Sequence, residues 1–374
     1  MTRFSVILPT FDRSRAIRPT IDSVIAQTER GWELIVVSDA STDDTDDVVR
    51  QYTDPRVRLT RLPRRAGHPG PPRNAGLALA RGELIAYLDH DDRWQPDHLA
   101  VLGDLLDRRD GARLAATGAI PVDAAGLQIG PARSFLDAIW SRELQALNPI
   151  FEPSRVGHHR GVAETVGGWG DELVGLEDWD LWLRLADNGE RFATSTRPTA
   201  QLLQDPGTRR HGVPVRHQLV LGRTPSIAHA LYALQLFTYA PIRARVRELH
   251  AECAARWYSE AESERKLVLP HDGRRASWRA LWDEALPEDA LTAFVGARPT
   301  ADGALVCRPL PCTSADHASR IERITDARLG AMHAFVGRVI DAAAHAAEDV
   351  LGVDRHPGRD ADADAADHAV TGLD

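Results

Sequence analysis

Two hydrophobic rhythms alternate along the first hundred residues. Phe4–Leu8, Leu34–Val37 and Leu84–Leu88 are short apolar runs with little polar alternation, and Val57–Leu62 reads as a further strand. Runs of that length predict strands buried on both faces. Between them, apolar residues recur every three or four positions. Ile17, Ile21, Val24 and Ile25 share one face of a helix predicted over Arg15–Gln27. Ser41 or Thr42 is placed to cap a helix reaching about Tyr52, with Asp43, Asp44, Asp46 and Asp47 near its positive end. Arg73–Ala80 is predicted helical and closed by Gly82, and Pro96 opens a further helix to about Asp107.

Buried strands alternating with amphipathic helices predict an α/β fold with a mainly parallel central sheet covered on both faces. Ligands of such sheets bind beyond the carboxyl ends of the strands. Pro9-Thr10, Asp39 and Asp89-His90-Asp91-Asp92 fall there.

Residues 114–199 are less regular. Asp123–Gly126 reads as a turn, Gly167-Gly168-Trp169-Gly170 as a loop, and Asp178–Asn188 as a helix with Leu181, Trp182 and Leu185 on one face. From about residue 215 to Leu351 the pattern is predominantly helical, with a proline-containing interruption over Leu267–Cys312. Leu219, Leu221, Ile227, Leu231, Leu234, Leu236, Phe237, Tyr239, Val246 and Trp257 carry more apolar surface than a simple cap needs. Such a face would cover an acceptor cleft or pair two chains as a homodimer. Residues 352–374 are expected to form a mobile acidic tail, since Asp354–Asp374 holds six Asp and almost no large apolar residue.

Composition narrows the classes. The 374 residues are 43% apolar, enough for a sizeable core, and 26% charged. A net charge of −9 argues against non-specific nucleic-acid binding as the main activity. No apolar run approaches the roughly 18 residues of a membrane span. The start, Thr2–Pro9, suits a strand better than a secretory h-region. Cys253, Cys307 and Cys312 form neither a disulfide framework nor a zinc pattern, so a cytoplasmic location is expected.

The acidic run carries the chemistry. Asp89 and Asp91 alternate at a strand end and so can point to one side. Hard oxygen donors in an open site suit Mg²⁺ or Mn²⁺ that keeps positions for phosphate oxygens. An isolated Asp-x-Asp is more often a solvated turn; its place at the end of a buried strand, in company with other motifs, changes the weighting. His158 and His159 are adjacent on a strand, face opposite sides and do not easily share one ion.

Five segments resemble family 2 glycosyltransferases of GT-A fold: Phe4–Asp12, Glu33–Asp43, Pro72–Gly76, Ala80–Asp92, and Gly167–Trp169 followed by Glu177–Leu185. The resemblance covers roughly residues 3–212 and implies a GT-A nucleotide-sugar-binding domain over 1–212, followed by a helical region over 213–351. It implies that Pro9, Thr10 and Asp12 flank the nucleotide and that Asp39 accepts a hydrogen bond from the base. Arg73 matches a basic residue beside base and phosphate. Asp91 becomes the principal metal ligand, and Asp89, with His90 beside it, serves ribose or metal. Asp178 matches the catalytic base, preceded by Glu177. His211 becomes a candidate third metal ligand, with Arg209 and Arg210 against the diphosphate. The implied reaction is metal-dependent, inverting transfer from a nucleotide diphosphate sugar, UDP-sugar favoured, to an acceptor hydroxyl. The acceptor class is open: a small molecule, natural product, glycan or peptide. Gly67–Pro72 departs from the family pattern in its prolines, which should stiffen that loop and bears on which donors it accepts.

Two rival readings fit the sequence less well. A nucleotidyltransferase would carry a glycine-rich basic loop after the first strand, and Thr10–Ser14 lacks those glycines. A non-catalytic sugar-nucleotide-binding protein would not need Asp89, Asp91 and Asp178 together.

Overall fold

The computed structural model describes residues 2–351 apart from 109, 171–174, 205–216, 274, 287–297, 300–303 and 311. The predicted opening alternation is present: β1 (Phe4–Thr10), α1 (Ile17–Ile25), β2 (Trp32–Ser38), α2 (Thr45–Arg50), β3 (Val57–Arg61), α3 (Gly70–Leu79) and β4 (Leu84–Tyr87). There follow β5 (Arg93–Trp94), α4 (His98–Leu106), β6 (Leu114–Val122), α5 (Arg142–Leu147), β7 (Val156–His159), α6 (Glu177–Asp187) and β8 (Phe192–Leu203). The sheet runs β3-β2-β1-β4-β7-β6-β8-β5. Its first four strands are mutually parallel, β7 runs against both of its neighbours, and β6 and β8 are parallel. This is an α/β fold with the parallel strands of its first half that the sequence leads one to expect.

β1 and β2 are buried at every position, as continuous apolar runs require. Each face of the sheet supports its own core. Val6, Leu8, Leu34, Val36 and Leu102 meet on one side; Ile7, Tyr87, Trp169, Trp182 and Phe192 meet on the other. Gly76 lets α3 lie on the sheet, because a Cβ there would come within 2.5 Å of the Ile7 side chain.

Two local expectations are corrected. α3 begins at Gly70, three residues before Arg73, because Pro71 and Pro72 occupy first-turn positions that need no backbone N–H. The prolines therefore start the helix rather than stiffen a loop ahead of it. Ser41 and Thr42 do not cap α2: Ser41 bonds Ser38 and Thr42 bonds Asp12.

The later region is not purely helical. β9 (His217–Arg223), β10 (Arg298–Pro299) and β11 (Ala304–Leu310) form a separate antiparallel sheet ordered β10-β11-β9. Around it stand α7 (Ile227–Leu236), α8 (Ala240–Ser263), α9 (Trp278–Ala285) and the C-terminal helix Ala315–Leu351. Part of the apolar surplus is absorbed here: Phe237 and Val246 pack with Met332, Val336 and Ile340. Ile227, Leu231 and Tyr239 stay exposed. Among the described residues no helix is long and apolar enough to cross a membrane. The expected tail, residues 352–374, lies outside the described residues.

Candidate active site

The carboxyl ends of β1, β2 and β4 meet the first turns of α3 and α6. At the end of β1, the Thr10 carbonyl accepts from the Asp39 backbone N–H at 2.8 Å. The Thr10 hydroxyl is buried and has no hydrogen-bond partner. Asp12 adopts a left-handed backbone, φ 46°, and turns its carboxylate onto the loop after β2. It accepts from the Thr42 N–H at 2.6 Å and the Thr42 hydroxyl at 3.1 Å. Asp12 thus clasps two strand ends together, which makes it a shaping residue at the expected nucleotide flank.

Asp39 is 4% exposed at the end of β2. One oxygen accepts from Ala66 N–H at 2.6 Å, the other from Gly67 N–H at 2.9 Å. Each carboxylate oxygen has a second acceptor direction, so the group keeps capacity for a further donor. Just before this loop, the Arg65 guanidinium lies 3.8 Å from the Phe11 ring centre. Arg65, although exposed, is therefore placed against the β1 loop.

Arg73 is the hub. It is 2% exposed and lies over the Trp169 indole at 4.2 Å. Its Nη2 donates to Asp89 Oδ1 at 2.6 Å, and its Nη1 stands 3.9 Å from Glu177 Oε1. Nε and Nη1 are buried and make no hydrogen bond among the described residues. Burial opposes its charge, but Asp89, Glu177 and Asp178 outweigh that and hold it above the ordinary arginine value. A cation in the first turn of α3 works against the helix dipole, and these carboxylates explain why it is tolerated.

The acidic run is pinned from below. Asp92, 7% exposed, accepts from the Ser154 hydroxyl at 2.6 Å and from Leu203 N–H at 2.9 Å. Ser154 Oγ also accepts from Asp89 N–H at 3.0 Å. Burial, with Asp89 and Asp91 nearby, raises the Asp92 carboxyl well above its ordinary value. His90 turns toward α1: its Nε2 accepts from Arg13 Nε at 3.0 Å, which places its own proton on Nδ1. Asp91 is half-buried beside Asp89. Asp92 and Ser154 were not singled out from sequence. Their partners lie 62 and 111 residues from Asp92, so no local pattern exposes them.

Glu177 and Asp178 open α6. Glu177 accepts from Gly175 N–H at 2.7 Å, and Asp178 Oδ1 accepts from Trp179 N–H at 2.7 Å. The Asp178 carboxyl is pushed up to about 7, first by burial and then by Glu177, against the pull of Arg73. The helix dipole favours an ionised Asp178, but burial wins.

Other residues resolve into structural roles. Trp169 is 1% exposed, packs on Tyr87 and Trp182, and exchanges two 2.9 Å backbone bonds with the Asn74 amide. Trp179 and Trp182 donate to the carbonyls of Gln145 and Phe151. His158 meets the Tyr87 hydroxyl at 2.8 Å and is pushed down to about 4 by burial, whereas His159 faces the Leu106 carbonyl. Arg209, Arg210 and His211 lie outside the described residues. Among the described residues, no group of three His, Cys, Asp or Glu is arranged to hold a metal. Asp89 and Asp91 offer two oxygen donors, and Asp89 is already shared with Arg73.

Residues 5–160 match the family described as Glycosyl transferase family 2. This part of the chain is similar to that family. The succinoglycan biosynthesis protein ExoO of Rhizobium meliloti is 37% identical over 150 residues, 40% of this chain and 42% of that protein. The UDP-Glc:alpha-D-GlcNAc-diphosphoundecaprenol beta-1,3-glucosyltransferase WfgD of Escherichia coli is 39% identical over 97 residues, 26% of this chain and 38% of that protein. The chain thus spans less than half the length of these two relatives. Among solved structures, S. aureus TarS 1–349 in complex with UDP-GlcNAc aligns with TM-score 0.48 and 17% identity, over 91% of this chain and 83% of that one. The family match includes Asp39, Arg73, Asp89 and Asp91 and ends before Asp178.

Proposed function

We propose that the protein transfers a sugar from a nucleotide diphosphate sugar to an acceptor hydroxyl, with Asp178 as general base and inversion at the anomeric carbon. One observation carries this reading: Arg73, a buried cation with two nitrogens that make no hydrogen bond among the described residues, stands between the end of β4 and the start of α6. Negative charge on a departing diphosphate needs preorganised cationic donors, and the Arg73 N–H groups supply them. The acceptor proton needs a base poised near the working pH, and a carboxyl at about 7 meets that demand. Asp39 supplies the acceptor for a base N–H, and the clasp made by Asp12 fixes the loop around it.

A divalent cation, Mg²⁺ or Mn²⁺, would be held by Asp91 and Asp89, with His211 as a further ligand. Hard carboxylate oxygens at an open strand end fit such an ion, which supplies charge neutralisation to the diphosphate when bound. UDP-sugars are the first donors to test, which agrees with the donor in the printed name of WfgD.

The test is a donor panel. The protein is incubated with UDP-glucose, UDP-N-acetylglucosamine, dTDP-glucose and GDP-mannose in Mn²⁺, and the release of nucleoside diphosphate is followed. Release from at least one donor, abolished by EDTA, is expected. Release of sugar 1-phosphate instead would replace this reading with nucleotidyl transfer. Binding without any turnover, with or without a hydroxyl acceptor library, would point to a non-catalytic binding protein.

A further inference from the structure

The start of α6 has no side-chain cap, although it carries Glu177 and Asp178. A helix start without a cap is fixed by what packs on it. Here part of the packing comes from α5 and part from the C-terminal helix, more than a hundred residues later in the chain. Trp179 follows Asp178 directly, is 2% exposed, and donates its indole N–H to the Gln145 carbonyl at 2.7 Å. The His317 ring meets that indole edge-on, with centroids 4.7 Å apart and planes at 86°.

His317 is itself held from both sides. Its Nε2 lies 2.7 Å from the Ala146 carbonyl, and its Nδ1 accepts from Thr313 N–H at 3.2 Å. One neutral tautomer, with the proton on Nε2, satisfies both bonds. Burial pushes the His317 pKa down and so keeps that form. One turn further on, Arg320 donates to Asp187 Oδ1 at 2.9 Å, at the far end of α6, and to the Arg142 carbonyl at 3.0 Å. Leu176 and Leu183 pack with Cys312 and Ile321 between these two grips.

We propose that the opening turns of the C-terminal helix are a splint for α6, and that His317 is a positioning residue that sets Asp178 through Trp179. The later region then completes the catalytic unit, in addition to any lid or pairing role. The proposal rests on the reading of Asp178 as the base.

The test compares His317→Ala, His317→Gln and Arg320→Ala in the full chain. Gln places an amide N–H near the position of Nε2 and restores the bond to Ala146. Two readouts are taken: hydrogen exchange of the peptide 176–187, and UDP release from UDP-glucose and UDP-N-acetylglucosamine in Mn²⁺. In His317→Ala, α6 exchange should quicken while β1 and β2 peptides stay as in the wild type. UDP release should fall by about tenfold to a hundredfold at unchanged donor KM, the size of loss that a small misplacement produces. His317→Gln should recover most of both, and Arg320→Ala, a more superficial change, should show a weaker form of each. Wild-type α6 exchange and wild-type release in His317→Ala would overturn the proposal. So would a loss of release that accompanies equal loosening of β1 and β2, or one that His317→Gln fails to restore. If the wild type releases no UDP, the reading of Asp178 fails on its own, and α6 exchange still decides the splint.

Discussion

Asp178→Asn should make the protein more stable and less active at once. The wild-type carboxyl is held at about 7 in the fold, against an ordinary 3.8 in the unfolded chain. The sign follows from proton binding. Between those values the folded state binds the proton more tightly, so stability falls as pH rises from 3.8 to about 7 and stays reduced above it. A difference of that size corresponds to about 4 kcal/mol at pH 8, as a ceiling. The half-buried side chain keeps some water, so a gain of about 2 kcal/mol on substitution is the working expectation. Asn preserves the shape and can still accept from Trp179 N–H, but it has no charge to desolvate. The assay is urea denaturation of both proteins at pH 8, 6.5 and 5, followed by tryptophan fluorescence. The Asn variant should be the more stable at pH 8, with an advantage that shrinks as the pH falls. In the same preparations UDP release should drop by about 10² to 10⁴, the usual worth of a general base. An Asn variant no more stable than wild type at pH 8, or one whose advantage is the same at all three pH values, would refute the reasoning.

Asp39→Asn should weaken UDP binding about tenfold or more in calorimetry, since one charged acceptor of the Ala66 and Gly67 N–H groups becomes a donor. Arg73→Met should cost about 3 kcal/mol in urea denaturation, because Asp89 and Glu177 lose their buried cation, and should also abolish UDP release. Asp91→Asn should leave the melting temperature close to wild type while UDP and Mn²⁺ cease to strengthen each other's binding in calorimetry. Removal of 352–374 should leave melting temperature and UDP release nearly unchanged, because the segment has little apolar surface to dock.

The half of the site built on β1, β2 and β4 was legible because each strand is a continuous apolar run that ends abruptly in polar residues. Asp39 and Asp89 sit at those breaks, and parallel strands bring their carboxyl ends to one edge. What fixes these residues was not legible. The Ser154 and Leu203 partners of Asp92, and the His317 contact on Trp179, join segments far apart in sequence. The raised carboxyl of Asp178 was not legible for a related reason. Its place in the first helical turn is local and argues for ionisation, whereas the burial and the Glu177 field that outweigh it are tertiary. Of the second sheet, β9 falls where the sequence reads as helical, because a brief apolar run such as Leu219–Leu221 fits either period, whereas β10 and β11 lie within the interruption over Leu267–Cys312.

The central claim is that Asp178 is the base of a nucleotide-sugar transfer, and the dependence of UDP release on pH tests it most directly. Only ionised Asp178 accepts the proton, so the wild-type rate at saturating donor should rise tenfold per pH unit below about 7 and level off above it. Asp178→Asn should give a residual rate without that step, while Asp180→Asn, whose carboxylate is engaged by Arg184 at 2.6 Å, should keep it. A wild-type profile without the step, or a step that survives in Asp178→Asn, would contradict the account.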